Sequence, residues 1–318
     1  MPHRGTVRAY AGLAVGVIAI AWSAIFVRWT QMPGVASAFY RVFFACVALW
    51  PILFFSRTKL TRMDRSTFWL GSLGGVFFAG DIGLYNIAVL HTSAGGATFL
   101  GNNAPLVVGL LTWATTRRLP SRRFWIALAI ALAGACLIVA RDMQHLGERS
   151  SADIMAVIAS ACFALYLLVT ERLRETCDTG TILALSTTAS AVVLLLFAAL
   201  AHISLAVPSV SSLAALIGLG VVCQLAGYFC LTYALGHLPA TVSSVILLAV
   251  APLTAVFAFV LFKERMTLVQ ILGGGLVLVG VWIVSGGSHE QLPAPGIPIV
   301  EIAGDLYGHS SQVDDSDL

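Results

Sequence analysis

Two stretches of the chain share one pattern, and that pattern decides the fold. Residues 88–119 read AVLHTSAGGATFLGNNAPLVVGLLTWATTRRL, and residues 235–266 read LGHLPATVSSVILLAVAPLTAVFAFVLFKERM. Sliding the second stretch back by 147 positions aligns Pro105 with Pro252 and brings four further identical residues into register. Each stretch has a turn, about twenty apolar residues with one proline, and a basic end, and another apolar segment follows. We interpret the shared order of these features as an internal duplication.

The composition identifies the solvent of this chain as lipid. Of its 318 residues, 58% are hydrophobic and only 10% are charged, and the mean hydropathy is +0.92. A soluble domain carries about 25% charged residues, so this chain has too few to coat a water-facing surface. Its apolar runs are continuous and about twenty residues long, which is the length of a membrane-spanning helix and not of an alternating barrel strand.

The sequence predicts an all-α integral membrane protein with ten transmembrane helices. The first apolar run is long and lacks a convincing signal-peptide cleavage site, so we expect it to remain as the first span. The predicted spans are 10–29, 34–55, 67–89, 94–115, 124–140, 153–170, 180–202, 211–234, 241–262 and 268–285.

The distribution of basic residues predicts the orientation of these spans. If the N-terminus is cytoplasmic, twelve of the 18 Lys and Arg residues fall in cytoplasmic segments, five fall outside, and Arg41 lies within a span. This asymmetry follows the positive-inside rule and predicts that both termini are cytoplasmic. Each half then holds five spans, an odd number, so the second half enters the membrane upside down. Such a 5+5 inverted repeat is typical of secondary transporters.

Polar residues at one depth of three consecutive spans form the candidate site. Arg41 and Asp81 each lie seven or eight residues from the predicted outer end of a span, which at about 1.5 Å per residue is a depth of about 10–12 Å. Asn102 and Asn103 lie at a similar depth in the fourth span. A charge within the membrane needs a partner or a watery cavity. Arg41 is suited to an anionic group, and Asp81 to an ammonium group or a proton; a buried Arg–Asp pair that fixes helix packing is the structural alternative.

Four further residues are weaker candidates. Gln224 in the eighth span either lines the same cavity or makes an interhelical hydrogen bond. Trp22, which lies well inside the first span, either stacks on a ligand or packs in the core. Pro105 and Pro252 each free one backbone carbonyl, so they predict kinks at matching places in the two halves.

No motif in the sequence supports an enzyme. There is no phosphate-binding loop, no HExxH and no GxSxG, and His and acidic residues are not clustered at metal-ligand spacing. Six cysteines without a CxxC pair are interpreted as free thiols. We therefore expect no catalytic residue, no metal, no cofactor and no nucleic-acid partner. Residues 286–318, which are acidic and contain three prolines, are predicted to form a disordered C-terminal tail.

Several motifs resemble those of the EamA type of the drug/metabolite transporter superfamily. The phrase AFYRVFF around Arg41 is similar to the arginine segment of the family's second helix, and Trp22 with Ser23 resembles its early "WG". LFKERMT at 261–267 is similar to the family's closing "LgErlt", although the first copy has Thr-Arg-Arg at 116–118 where that acid would stand. The other matching positions are Tyr85, Ala88, Pro105, Ala234, Pro239, Ala240, Pro252, Leu261 and Glu264.

The resemblance covers residues 10–285 and implies two EamA-like repeats, at 10–140 and 153–285. It also implies a multi-pass plasma-membrane carrier that exports small metabolites or amino acids from a central cavity. We therefore expect a secondary transporter that works by alternating access. Its expected partners are a small-molecule substrate and the lipid bilayer, and whether protons drive transport is left open. The alternatives are an uncoupled facilitator and a non-transporting assembly or receptor protein. The sequence leaves the substrate, the coupling ion and the oligomeric state open.

Overall fold

The structure, a computed structural model, describes residues 4–55, 64–91, 100–139, 150–263 and 266–286. These residues form helices and turns, with no β-strand among them. Three predictions fall outside the described residues: the start of the fourth span, the closing acid Glu264, and the C-terminal tail from residue 287 onward.

Thirteen α-helices and one π-helix build the described part of the chain. The first half contains α1 Arg4–Ala21, α2 Ser23–Thr30, α3 Gly34–Phe55, α4 Arg65–His91, α5 Ala104–Thr116 and α6 Arg122–Val139. The second half contains α7 Ser150–Leu173, α8 Thr179–Leu200, α9 Val210–Gly218, π1 Leu219–Gly227, α10 Tyr228–Leu235, α11 Ala240–Leu247, α12 Val250–Phe262 and α13 Leu268–Ser285.

The helices are those of a multi-pass membrane protein. Nine helical segments of the described chain are long and apolar enough to cross a bilayer, and Ala104–Thr116 is a shorter apolar helix at the place of the predicted fourth span. Large apolar side chains cover the outside, among them Phe55 at 81% and Trp282 at 77% exposure. Such a surface is unfavourable in water but suits a lipid environment. The predicted all-α membrane fold is confirmed.

Three spans are interrupted within the bundle. The first span breaks at Trp22, between α1 and α2. The fourth span has a turn at 102–103 immediately before α5, and the ninth span breaks at 248–249, between α11 and α12. The two last breaks lie at corresponding places of the duplicated stretches. Interrupted helices expose backbone groups at membrane depth, which is tolerated only where protein or a cavity covers them.

The two halves pack through paired spans. The first span packs on the eighth, the third on the sixth and seventh, the second on the seventh, and the fifth on the tenth. Each span of the first half corresponds to the span five places later in the second half. Under this correspondence the first–eighth pair matches the third–sixth pair, and the second–seventh and fifth–tenth pairs match themselves. The centre of the bundle is therefore bordered by spans from both halves.

Glycines allow the fifth and tenth spans to touch through their backbones. A Cβ atom at Gly134 would lie 2.4 Å from the carbonyl oxygen of Gly273, and a Cβ at Gly273 would lie 2.6 Å from that of Gly134. Real Cβ atoms do not approach a carbonyl this closely, so α6 and α13 fit together only because both positions lack a side chain. Small residues play this role at many transmembrane helix interfaces.

Replacing Gly134 by alanine is therefore expected to destabilise the protein. The added methyl group has to push two backbones apart, and overpacking of this kind costs about 1–3 kcal/mol. Gly275→Ala is the matched control, because no atom lies within 4 Å of a Cβ at that position. Thermal unfolding in detergent checks the prediction, and equal unfolding temperatures for the two variants would show that the helices adjust freely.

Candidate functional site

Arg41 is the central residue of the candidate site. It lies in the N-terminal half of α3, and its guanidinium bonds to two other spans. Nε donates to Oε1 of Gln224 at 2.8 Å, and Nη1 donates to Oγ of Ser23 at 3.2 Å. Arg41 thus joins the second span to the first and to the eighth, and its bond to Gln224 crosses between the two halves.

Two aromatic rings, of Tyr228 and Phe78, lie beneath this guanidinium, and we call them the aromatic bed. The central carbon of the guanidinium is 5.3 Å from the ring centroid of Tyr228 and 6.0 Å from that of Phe78. Both rings also contact Tyr166, which is 1% exposed. A cation over an aromatic face is stabilised by the ring quadrupole, and more so where water is excluded. The bed therefore stabilises the guanidinium of Arg41 within the bundle.

One nitrogen of the Arg41 guanidinium is unused. Nη2 is buried and has no hydrogen-bond partner. Leaving a buried donor unpaired costs about 1–3 kcal/mol, and more for a charged group. An anionic group that reached this nitrogen would remove that cost and would gain a charge-assisted hydrogen bond. The orphaned nitrogen is thus the strongest indication of ligand chemistry in the described part of the chain.

Asp81 places a carboxyl group near Arg41 without pairing with it. The carboxyl group in α4 is close enough to Arg41 for electrostatic attraction. No N···O contact within 4.0 Å joins the two side chains, and Asp81 makes no hydrogen bond among the described residues. Cys162 and Tyr228 lie within electrostatic range of the same carboxyl. The alternative of a direct Arg–Asp pair is therefore not what the structure shows.

Trp22 lies at the break in the first span. Its ring packs on Phe257 of the ninth span, with 4.9 Å between the ring centroids, and on Phe26, with 6.0 Å between the centroids. The break frees the carbonyl of Ala21, which accepts a hydrogen bond of 3.0 Å from the hydroxyl of Thr254. The ninth span thus satisfies the backbone group that the interruption leaves open, as membrane burial requires.

Gln224 is held in the unusual part of the eighth span. It belongs to π1 and is 1% exposed, and its amide oxygen accepts from Arg41. Of the two interpretations that the sequence left open, the structure shows the interhelical hydrogen bond. Since that bond is made to Arg41, Gln224 lies at the site itself.

Asn102 and Asn103 form the turn that precedes α5. The amide of Asn103 donates to the carbonyl of Leu100 at 3.1 Å, so it covers the broken end of its own span. Asn102 makes no hydrogen bond to Arg41 or Asp81 among the described residues. The ring of Tyr85 is 3.0 Å from the Cβ position of Gly101, beside this turn. The asparagines thus support a helix break, and the described contacts do not place them against the guanidinium.

Pro105 and Pro252 are both buried and follow the two breaks. Pro105 occupies the first turn of α5, where backbone N–H groups have no partner within the helix, so the N–H that proline lacks is not needed. Pro252 occupies the corresponding turn of α12. Each proline therefore stands at the start of a helix and not within one.

Two polar residues of the site were not among the candidates of the sequence analysis. Ser23 and Thr254 are small polar residues in apolar spans, and such residues are too common in membrane helices to stand out. What marks them in the structure is their partners: the Arg41 guanidinium for Ser23 and a freed backbone carbonyl for Thr254.

Both halves of the chain match one family profile. The profile of the EamA-like transporter family matches residues 7–140 and again residues 150–286. The chain belongs to the EamA-like transporter family. The expected resemblance is confirmed, and the two matches agree with a duplicated architecture.

Curated relatives and a solved structure agree with this assignment. The chain is 28% identical over 213 residues to "Uncharacterized transporter YwfM" of Bacillus subtilis (strain 168), covering 66% of this chain and 71% of the relative. It is 24% identical over 286 residues to an "Uncharacterized transporter" of Archaeoglobus fulgidus, covering 87% and 97%. A crystal structure with 14% identity superposes with a TM-score of 0.76 over 92% of this chain and 100% of the other, which shows a shared fold.

The family and the fold together establish the general class of this protein. It is a multi-pass membrane transporter with a small-molecule substrate. This class suggests a non-enzymatic protein, and no group of three or more His, Cys, Asp and Glu side chains is placed to hold a metal within the described ranges.

Proposed function

We propose that this protein is a secondary transporter that exports a small metabolite or amino acid across the plasma membrane by alternating access, with both termini cytoplasmic. The observation that carries the proposal is the buried, unpaired Nη2 of Arg41 at the junction of the two halves. Export is the direction that the family resemblance implies, and the excess of basic residues in the predicted cytoplasmic segments supports the orientation.

The helix interruptions support alternating access. Carriers with internal repeats place substrate between the repeats, at discontinuous helices near the midplane. Here the first, fourth and ninth spans are interrupted, and the second span bonds to the eighth at Arg41. The pairing of spans is the same when the two halves are interchanged, as a 5+5 inverted repeat requires. Two related halves can then rock about the site and open it to each side in turn.

The separation of Arg41 and Asp81 favours a substrate with two charges. A carboxylate on Nη2 and an ammonium group on Asp81 would satisfy both residues at once. The aromatic bed of Phe78 and Tyr228 adds apolar surface beside them. An amino-acid-like zwitterion therefore fits this chemistry best. Proton carriage by Asp81 is the second role, and it would couple export to a proton gradient.

Comparative metabolite analysis tests the proposal. Cells that express the wild-type protein and cells with an empty vector are compared by mass spectrometry of their interior and medium. We expect one zwitterionic solute to become enriched in the medium only when the protein is present. No change in any pool, with the protein abundant in the membrane, would favour the assembly or receptor alternative.

Vesicles containing the purified protein separate the remaining alternatives. A secondary transporter accumulates the identified solute against its gradient when a proton gradient is imposed, whereas a facilitator only equalises the concentrations. Accumulation that stops when the proton gradient is dissipated supports coupled transport.

A further inference from the structure

The eighth span contains a π-helix, whereas its counterpart in the first half, the third span, is a regular α-helix. Residues Leu219–Gly227 form π1, flanked by α9 and α10 without a break. The third span, which exchanges with the eighth when the halves are exchanged, is α-helical throughout Arg65–His91. The fold of a half therefore does not require this distortion. π-Helical segments are rare, and they occur frequently at functional sites.

The π-helix carries the contact that occupies Arg41. Gln224 lies within π1 and binds Nε, and Tyr228, the first residue after π1, lies beneath the guanidinium at 5.3 Å. A π-helix bonds residue i to i+5, so it holds an additional residue within the length of an α-helix. If that extra residue moves along the span, each residue that it passes turns by about 100° while both ends stay packed.

Two glycines bring π1 into close contact with the first and second spans. A Cβ at Gly220 would lie 2.6 Å from Cβ of Phe44 and 3.0 Å from the carbonyl oxygen of Arg41. A Cβ at Gly227 would lie 2.9 Å from Cγ1 of Ile20. The glycines thus let π1 lie directly against the first and second spans, so a change within π1 is felt by the span that carries Arg41.

We infer that π1 is the switch that transfers Arg41 from Gln224 to the substrate. This inference rests on the proposed function and deepens it. In the described state Gln224 occupies Nε and Nη2 is unpaired. Movement of the extra residue turns Gln224 away, and the anionic group of the substrate then binds Nε and Nη2 together as a bidentate partner. Substrate and Gln224 therefore compete for one guanidinium, and the rearrangement of π1 is linked to occupancy.

Deleting Val222 tests the switch. Val222 is in π1 and is 37% exposed on the outside of the bundle, so its removal turns the segment into a regular α-helix without emptying the core. We expect the variant to fold with an unfolding temperature close to that of wild type. We expect export of the identified solute to fall at least about tenfold, because a regular helix has no extra residue to move and cannot exchange Gln224 for the substrate in each cycle.

Deletion of Val76 is the matched control. It is 45% exposed in the regular α4, which has no extra residue to lose, so its deletion rotates one part of the span out of register. We expect this variant to be much less stable than the Val222 deletion. The inference is overturned if both deletions destabilise the protein equally, or if the Val222 deletion exports as wild type does.

Labelling of Cys223 gives a readout that needs no substrate. Cys223 lies in π1 and is fully buried, so N-ethylmaleimide reaches it only when the segment rearranges. Mass spectrometry of the purified full-length protein is expected to show slow labelling of Cys223 in wild type and at least about tenfold slower labelling in the Val222 deletion. Equal labelling rates overturn the switch. Different rates in a protein that exports no solute would retain the switch and reject the proposed function.

Discussion

Arg41→Ala is expected to reduce export about 100-fold, because hydrogen bonds to charged groups contribute about 1.5–3 kcal/mol and each 1.4 kcal/mol is a factor of ten. The alanine removes the unpaired Nη2 that we assign to the anionic group of the substrate. It also removes the partner of Gln224, which is then buried with an unsatisfied amide. The measurement is the rate at which cells release the identified solute, normalised to the amount of protein in the membrane.

Arg41→Lys separates lost binding from lost folding. A lysine keeps the charge over Tyr228 and Phe78 but has no planar fork, so it cannot bind Gln224 and a carboxylate in the same geometry. We expect this variant to fold and to retain a few per cent of export. Arg172→Ala is a matched control, since Arg172 is 45% exposed and its ion-pair partner among the described residues is nearby Glu175, at 2.5 Å. Wild-type export by Arg41→Ala, at equal abundance, would assign Arg41 a structural role.

The spans were predictable from sequence because hydropathy is a local property. Runs of apolar residues must be helical in lipid, so their number and approximate ends follow from the chain itself. The candidate residues Arg41 and Asp81 were found for a related reason, since a charge in such a run is costly wherever its partner lies. The partner of Arg41 was not predictable, because Gln224 is 183 positions away and helical phase does not specify contact across a bundle.

The helix breaks show a second limit of the sequence. The prolines at 105 and 252 predicted kinks, and the turns that precede them lie at 102–103 and 248–249. A proline fits the first turn of a helix, so each interruption lies a few residues before the proline and not at the proline itself. The break at Trp22 has neither proline nor glycine beside it, and its stabilisation by Thr254 comes from a different span. The inverted orientation of the halves and the roles of the site residues stay predictions.

Asp81→Asn is expected to lower export of a zwitterionic solute about tenfold or more, because the pairing of an ammonium group with a buried carboxylate is a charge-assisted contact. Export of an analogue without the amino group is expected to stay unchanged. The amide has the shape of the carboxyl, and it does not require charge compensation within the membrane. Since Asp81 makes no hydrogen bond among the described residues, the substitution breaks none of the described bonds, and the unfolding temperature should not fall.

The comparison of the two solutes decides between the roles of Asp81. If Asp81 binds the ammonium group, the Asn variant discriminates between zwitterion and analogue, and both solutes still respond to an imposed proton gradient. If Asp81 carries the coupling proton, the variant transports both solutes equally and loses its response to the gradient. Because Arg41 lies within electrostatic range of Asp81, either role makes the binding of the anionic group at Arg41 depend on what Asp81 holds. Export by the Asp81→Asn, Arg41→Ala double variant should therefore differ from the product of the two single effects, as expected for coupled neighbours.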